Sequence, residues 1–234
     1  MADSIERMLA TGVVGAVYDP WIRWDWITRH LDVITAALAQ HVWLTVIAVG
    51  LGVAIALPLG LLAWRDRLLR GPVFSFTGIL YTIPSLALFS FLIPFTGLSI
   101  LTAEIGLVSY TLLILIRNIV TGLDAVPADV REAARGMGYR PLTQLIRIDL
   151  PLSIPALIAG VRIATVTTIG LVTVTALIGE GGLGSLILDG LIRDFKTPLV
   201  VGTVLSVGLA IIADVSLSGL ERLVTPWARS RAGA

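Results

Sequence analysis

Charged residues vanish from this chain in long blocks. None occurs between His41 and Arg65, and none between Arg70 and Glu104. A bilayer core of ~30 Å is crossed by about 20 mostly apolar helical residues, so the first block predicts a span over Val42–Trp64. The second block is too long for one helix. Pro94-Phe95-Thr96-Gly97 divides it, predicting a second span over Val73–Phe95 and a third over Ile100–Ile116 that contains Glu104. A polar stretch, Arg117–Asp149, follows. Leu152–Ile178, charged only at Arg162, reads as a fourth span, Gly179–Thr197 as a loop, and Leu199–Leu217, with Asp214 near its end, as a fifth. The pattern predicts an all-α polytopic membrane protein of about five transmembrane helices.

The flanks read differently. Trp21, Trp24 and Trp26 cluster ahead of the first span, and such amphipathic rings favour the headgroup layer. Residues 1–30 are therefore expected to form an interfacial segment, 31–220 the transmembrane domain and 221–234 a tail. The alternative, Met8–Val17 as part of another span, is too short. The N-terminus is no cleavable signal peptide, because no apolar core follows a basic n-region at once.

Composition agrees with lipid as the solvent. The chain is 56% hydrophobic and 14% charged, against about 25% charged in soluble domains, and its mean hydropathy is +0.92. With no cysteine, disulfides, zinc–thiolate sites and cysteine nucleophiles are excluded. The net charge of +1 and a single lysine, Lys196, offer nothing to nucleic acid. Orientation follows arginine placement. Eleven arginines (three in 65–70, five in 117–147, three in 222–231) lie on one side of a five-span chain. Five basic residues (Arg7, Arg23, Arg29, Arg193 and Lys196) lie on the other. The first side is expected to be cytoplasmic, with the N-terminus external and the C-terminus cytoplasmic.

Small residues run through the spans, among them Gly50, Gly52, Ala54, Ala56, Gly60, Gly160 and Gly170. In lipid they let helices approach closely. Pro58, Pro84 and Pro155 imply kinks whose freed carbonyls need partners.

The polar stretch carries the function. From Val126 to Pro151 its residues predict a short helix, a turn and a second helix. Pro127 suits a first helical position, and Asp129 and Glu132 suit the positive end of a helix. Ala133 and Ala134 leave a bare face. Gly138 can take the left-handed conformation that ends a helix, Pro141 starts the next, and Pro151 marks the return to the membrane.

Glu132-Ala133-Ala134, three residues, Gly138, nine residues, then Ile148-x-Leu150-Pro151 resembles the complete "EAA" signature of ABC importer permeases. Further segments resemble permeases for glycine betaine, carnitine, choline and related osmoprotectants: Tyr81–Leu88, Leu115–Asn118 and Ile178–Gly184, the last departing at Glu180 where a small residue is usual. Together with the loop they cover about residues 40–220. Methionine-type permeases share the five-span plan.

The resemblance implies a type I importer fold in which two permease subunits, identical or paralogous, form the pathway. ABC ATPase subunits would dock on the loop 117–151, and an external binding protein, periplasmic or lipid-anchored, would deliver substrate. It makes Glu132, Ala133, Ala134, Gly138, Ile148, Leu150 and Pro151 the ATPase-coupling residues. Tyr81, Pro84, Ser85, Thr165, Thr168 and Thr175 are candidates for lining the pathway, though each threonine can equally bond back to its preceding turn.

No cofactor, metal site or catalytic set is expected, and no G-x-x-x-x-G-K-[ST] phosphate loop occurs, so ATP hydrolysis falls to a partner. Gly179–Gly184 is read as a flexible re-entrant or external turn. An intramembrane enzyme is disfavoured, because His30 and His41 precede the first span's core and neither G-x-S-x-G nor H-E-x-x-H occurs. A passive channel leaves the docking signature unexplained. Glu104 and Asp214 are expected in structural or interfacial roles, and Arg162 is expected to snorkel to the headgroups.

Overall fold

The structure is a computed structural model and describes residues 20–226. The greater part of the expected interfacial segment, the alternative span Met8–Val17, and Arg229 and Arg231 lie outside the described residues. Helices α1 (Trp24–Arg29) and α2 (Leu31–Arg65) meet at His30, whose ring stacks on Trp26 at 4.5 Å. The first span thus starts at Leu31 rather than Val42. Its extra turns are held by tertiary contact: Ile34 is buried in a small cluster with Leu183 and Leu186.

The expected second span Val73–Phe95 is not one helix. It consists of α3 (Arg67–Thr82) and α4 (Ser85–Thr96), bent by 96°. The break falls at Ile83, whose ψ of 126° is the extended conformation forced on a residue that precedes proline. Tyr110 donates its hydroxyl to the Ile83 carbonyl, supplying the partner that lipid cannot. Pro94, expected to break the chain, stays inside α4, and the helix ends at Gly97 with φ of 72°.

Helix α5 (Ile100–Asp124) runs two turns beyond the expected Ile116, so the polar stretch begins inside a helix. Then come α6 (Ala128–Gly136) and α7 (Pro141–Gln144), which passes through a π-helical turn, Leu145–Asp149, into α8 (Leu150–Val174). Pro151 therefore lies within a continuous helical path. The expected loop 179–197 contains a short apolar helix, α9 (Leu183–Ile192), with one face buried, and α10 (Lys196–Val224) completes the bundle. Among the described residues four helices are long and apolar enough to cross a membrane, and counting the bent pair as one span gives five.

The core lies where α2, α5 and α8 meet. Every fourth residue of α2 from Ala48 to Gly60 (Ala48, Gly52, Ala56, Gly60) is buried, a small-residue stripe that lets backbones close up. A Cβ on Gly52 would meet Thr111, and one on Gly60 would meet Ile119. Both pairs have the same offset, so α2 and α5 run parallel. Gly50 and Ala54 are exposed and do not join this interface. Gly160 packs on Asn118 of α5, whereas Gly170 has open space.

Candidate functional site

Helices α6 and α7 project from one end of the bundle, here called the loop end. Pro127 sits just before the first turn of α6, with Asp129 in that turn. Gly138 has φ of +81° and nothing within 4 Å of a would-be Cβ. The demand for glycine there is conformational, worth roughly 1–2 kcal/mol against an ordinary side chain. Pro141 opens α7.

The two alanines separate. Glu132 and Ala133 are exposed, whereas Ala134 is fully buried beneath its own helix. Ile148, Leu150 and Pro151 are half-buried along the π-helical turn and the base of α8.

Arg131, which sequence reasoning passed over, fixes the loop to the bundle. Its Nε donates to Asp149 Oδ1 at 2.8 Å and its Nη2 donates to the Leu123 carbonyl at the end of α5. Its guanidinium lies over the Trp64 ring at 5.2 Å. Asp149 is 1% exposed and also accepts from Gln144 Nε2 at 3.3 Å. One side chain therefore joins α2, α5, α6 and α8. At the same end Arg70 Nη2 donates to Asp124 Oδ2 at 2.7 Å, tying α3 to α5.

Of the threonines proposed for the pathway, Thr168 and Thr175 are turned inward and Thr165 is half-buried. Thr175 is buried and donates to the Val172 and Glu180 carbonyls, and Thr165 bonds back to Val161. Thr168 is buried, and its hydroxyl has no partner. Tyr81 and Pro84 are exposed and Ser85 half-buried, all beside the α3–α4 break, and Tyr81 meets the Tyr110 ring edge-on at 6.0 Å. The Gly179–Gly184 turn is closely packed at three of its glycines, with open space at Gly179. Gly181 packs on Ala176, Gly182 on His41 and Gly184 on Thr173, all against backbone. Gln40 Nε2 donates to Glu180 Oε2 at 2.9 Å.

Arg162, Asp214 and Glu221 stand apart from the loop, and Arg162, expected to snorkel, is engaged in ion pairs between helices. Its Nη2 donates to both carboxylate oxygens of Asp214, at 2.9 and 3.1 Å, and its Nη1 donates to Glu221 Oε2 at 3.3 Å. A lone arginine in one apolar helix and a lone aspartate in another are each costly in lipid, and that shared cost is the signal that could have paired them. Glu104, one turn into α5, is held inside the bundle. It is 7% exposed, with neither carboxylate oxygen hydrogen-bonded, and the parallel register of α2 and α5 sets it level with Thr45. Among the described residues no group of acidic or histidine side chains could hold a metal ion.

A five-span helical bundle with a helical loop braced against its end, and no nucleotide-binding segment of its own, is a membrane-embedded transport subunit. Residues 36–226 match the binding-protein-dependent transport system inner membrane component family, and the chain belongs to it. It is the permease component of an ABC importer, not an enzyme. ATP is hydrolysed by a partner, and the assembly includes a second permease and a substrate-binding protein.

Among its relatives is the osmoprotectant import permease protein OsmW of Salmonella typhimurium, 38% identical over 192 residues, spanning 80% of this chain and 89% of that one. The glycine betaine/carnitine/choline transport system permease protein OpuCB of Bacillus subtilis is 37% identical over 187 residues, 80% of this chain and 86% of the other. The inward-facing MetNI methionine ABC transporter shares the fold, with a TM-score of 0.77 at 24% identity, covering 84% of this chain and 98% of that one.

Proposed function

We propose that this permease carries small quaternary-ammonium or zwitterionic osmolytes, such as glycine betaine, carnitine, choline or proline betaine, inward across the cytoplasmic membrane. The observation that supports this reading most is identity of 36% or more, over at least 80% of the chain, to permeases named for osmoprotectant, glycine betaine/carnitine/choline and choline transport. Uptake of labelled betaine and choline is expected in cells carrying the whole importer and not in cells lacking this chain. Uptake of methionine instead, unaffected by betaine, carnitine or choline, overturns the reading.

In this proposal residues 31–220 form the transmembrane domain and the loop end faces the cytoplasm. Helix α6 seats in a groove of the ATPase through Glu132 and Ala133, the exposed members of the signature, while Ala134, Gly138, Ile148, Leu150 and Pro151 hold the shape of the loop. Because Arg131 locks α6 to the ends of α5 and α8, a push on α6 moves the spans rather than bending the loop. Tyr81, Pro84 and Ser85 remain pathway candidates at the α3–α4 break.

The N-terminus is placed outside and the C-terminus inside. The chain has no cysteine, so a single cysteine at Ala234 is a clean probe. It is expected to resist an impermeant thiol reagent in intact cells and to react after permeabilisation. Labelling from outside overturns this orientation.

A further inference from the structure

We infer that Arg162, Asp214 and Glu221 form a transit site for cationic and zwitterionic headgroups on the face that this subunit turns to the second permease. The inference rests on the osmolyte reading above and gives that reading a place in the membrane.

Depth comes first. Arg162 is midway along Leu150–Val174, about 18 Å from either end at 1.5 Å per residue. Asp214 lies roughly 15 Å before the end of α10 at Val224. Charged side chains at such depth face protein or water rather than lipid. Glu221 lies only about 4.5 Å before Val224, nearer the end of α10. Yet these three are not enclosed by the described residues: the side chains of Arg162, Asp214 and Glu221 are 28%, 43% and 27% exposed. Arg162 and Asp214 open onto a groove of about 580 Å³ between α8 and α10, walled by Ile163, Val166, Thr167, Ile211 and Val215, and Glu221 joins them from beside it through its hydrogen bond to Arg162. Helix α10 is scarcely covered by the rest of the chain. A polar groove at bilayer depth on an uncovered face needs a protein neighbour and water, and the second permease subunit supplies both.

Charge sets the ligand. One guanidinium against two carboxylates leaves one negative charge in excess, beside a groove whose other walls are aliphatic apart from Thr167. A trimethylammonium group suits both features, with methyl surface for the wall and positive charge for the uncompensated carboxylate. Asp214 and Glu221 are seven residues apart on one face of α10, so Arg162 can keep one carboxylate while the other meets the cation. In a zwitterion the ligand's carboxylate has Arg162 to pair with, in the forked geometry guanidinium favours. No aromatic side chain lines the groove. The strong cation–π attraction that would trap such a ligand is missing, as suits a site that must release what it binds.

The test uses the complete importer in proteoliposomes, with one and the same binding protein, and measures choline and glycine betaine uptake in parallel. Asp214→Asn and, independently, Glu221→Gln each remove the excess charge while Arg162 keeps a carboxylate partner. Choline uptake is expected to fall about tenfold relative to betaine, the factor that corresponds to 1.4 kcal/mol of lost attraction. Asp214→Glu is expected to restore the ratio. An unchanged ratio in whichever neutralised variant assembles, with wild type carrying both compounds, overturns this inference and leaves the osmolyte reading standing. A wild-type importer that carries neither compound overturns both. A purely structural ion triad would lower both uptakes together and leave their ratio unmoved, which also counts against the inference.

Discussion

Arg131→Ala is expected to destabilise the permease and to separate it from its ATPase. Asp149 is 1% exposed, and its remaining partner would be Gln144 at 3.3 Å. Removing one member of a buried ion pair costs about 3–5 kcal/mol, because the other charge stays desolvated. The Leu123 carbonyl and the Trp64 ring lose their guanidinium contact as well. The unfolding midpoint in detergent should fall by about 10 °C, on the scale of roughly 2–4 °C per kcal/mol for a chain of this size. ATPase co-purification should fall with it. Arg131→Lys keeps the charge without the planar fork and should lie between.

On the docking proposal, Ala133→Trp should behave differently. Ala133 is exposed, so the midpoint should hold while co-purification and uptake are lost. A normal midpoint in Arg131→Ala would show that the brace is not structural. Normal co-purification in Ala133→Trp would remove α6 as the coupling element.

The second large effect is expected at Gly184. A Cβ there would stand 2.3 Å from the Thr173 carbonyl oxygen and 2.5 Å from its Cα. These are backbone atoms inside a membrane helix and cannot rotate aside as a side-chain tip would. Overpacking a well-filled core costs about 1–3 kcal/mol and occasionally more, and here the only relief is to pull α9 off α8. Gly184→Val should therefore sharply reduce the folded, monodisperse permease recovered in detergent. Gly208→Val is the matched control, since a Cβ at Gly208 meets nothing within 4 Å. Equal recovery of the two variants would show that the turn has slack that its geometry denies.

The α6–α7 loop was legible because its signals are local. Pro127, Asp129, Gly138 and Pro141 each act on their own backbone within one turn; Asp129, Gly138 and Pro141 stand where their chemistry placed them, and Pro127 stands one residue ahead of the first helical position expected for it. The number of spans was legible because hydrocarbon thickness acts on any segment of about 20 apolar residues, whatever it packs against. The sites chosen inside the spans fared differently. Thr168 and Thr175 share a face by spacing, but spacing alone does not say whether that face meets the core or a neighbour, and here it meets the core.

What the sequence by itself determined, then, is what one segment decides alone: the apolar spans, the helix–turn–helix of the loop and the missing phosphate-binding segment. Tertiary structure decided the rest, because pairing partners far apart in sequence leaves no local trace. Pro84 looked like a kink, and it became a 96° break that is tolerable because Tyr110 donates to the freed carbonyl of Ile83, 27 residues away from it. The Gly179–Gly184 turn looked open, and the fold packs Gly181, Gly182 and Gly184 of it against Ala176, His41 and Thr173. Arg131 and Asp149, and Arg162 with Asp214 and Glu221, are isolated charges in sequence. Only the fold brings them within hydrogen-bonding distance, and only there does the unfavourable burial of each become a reason for the other's position.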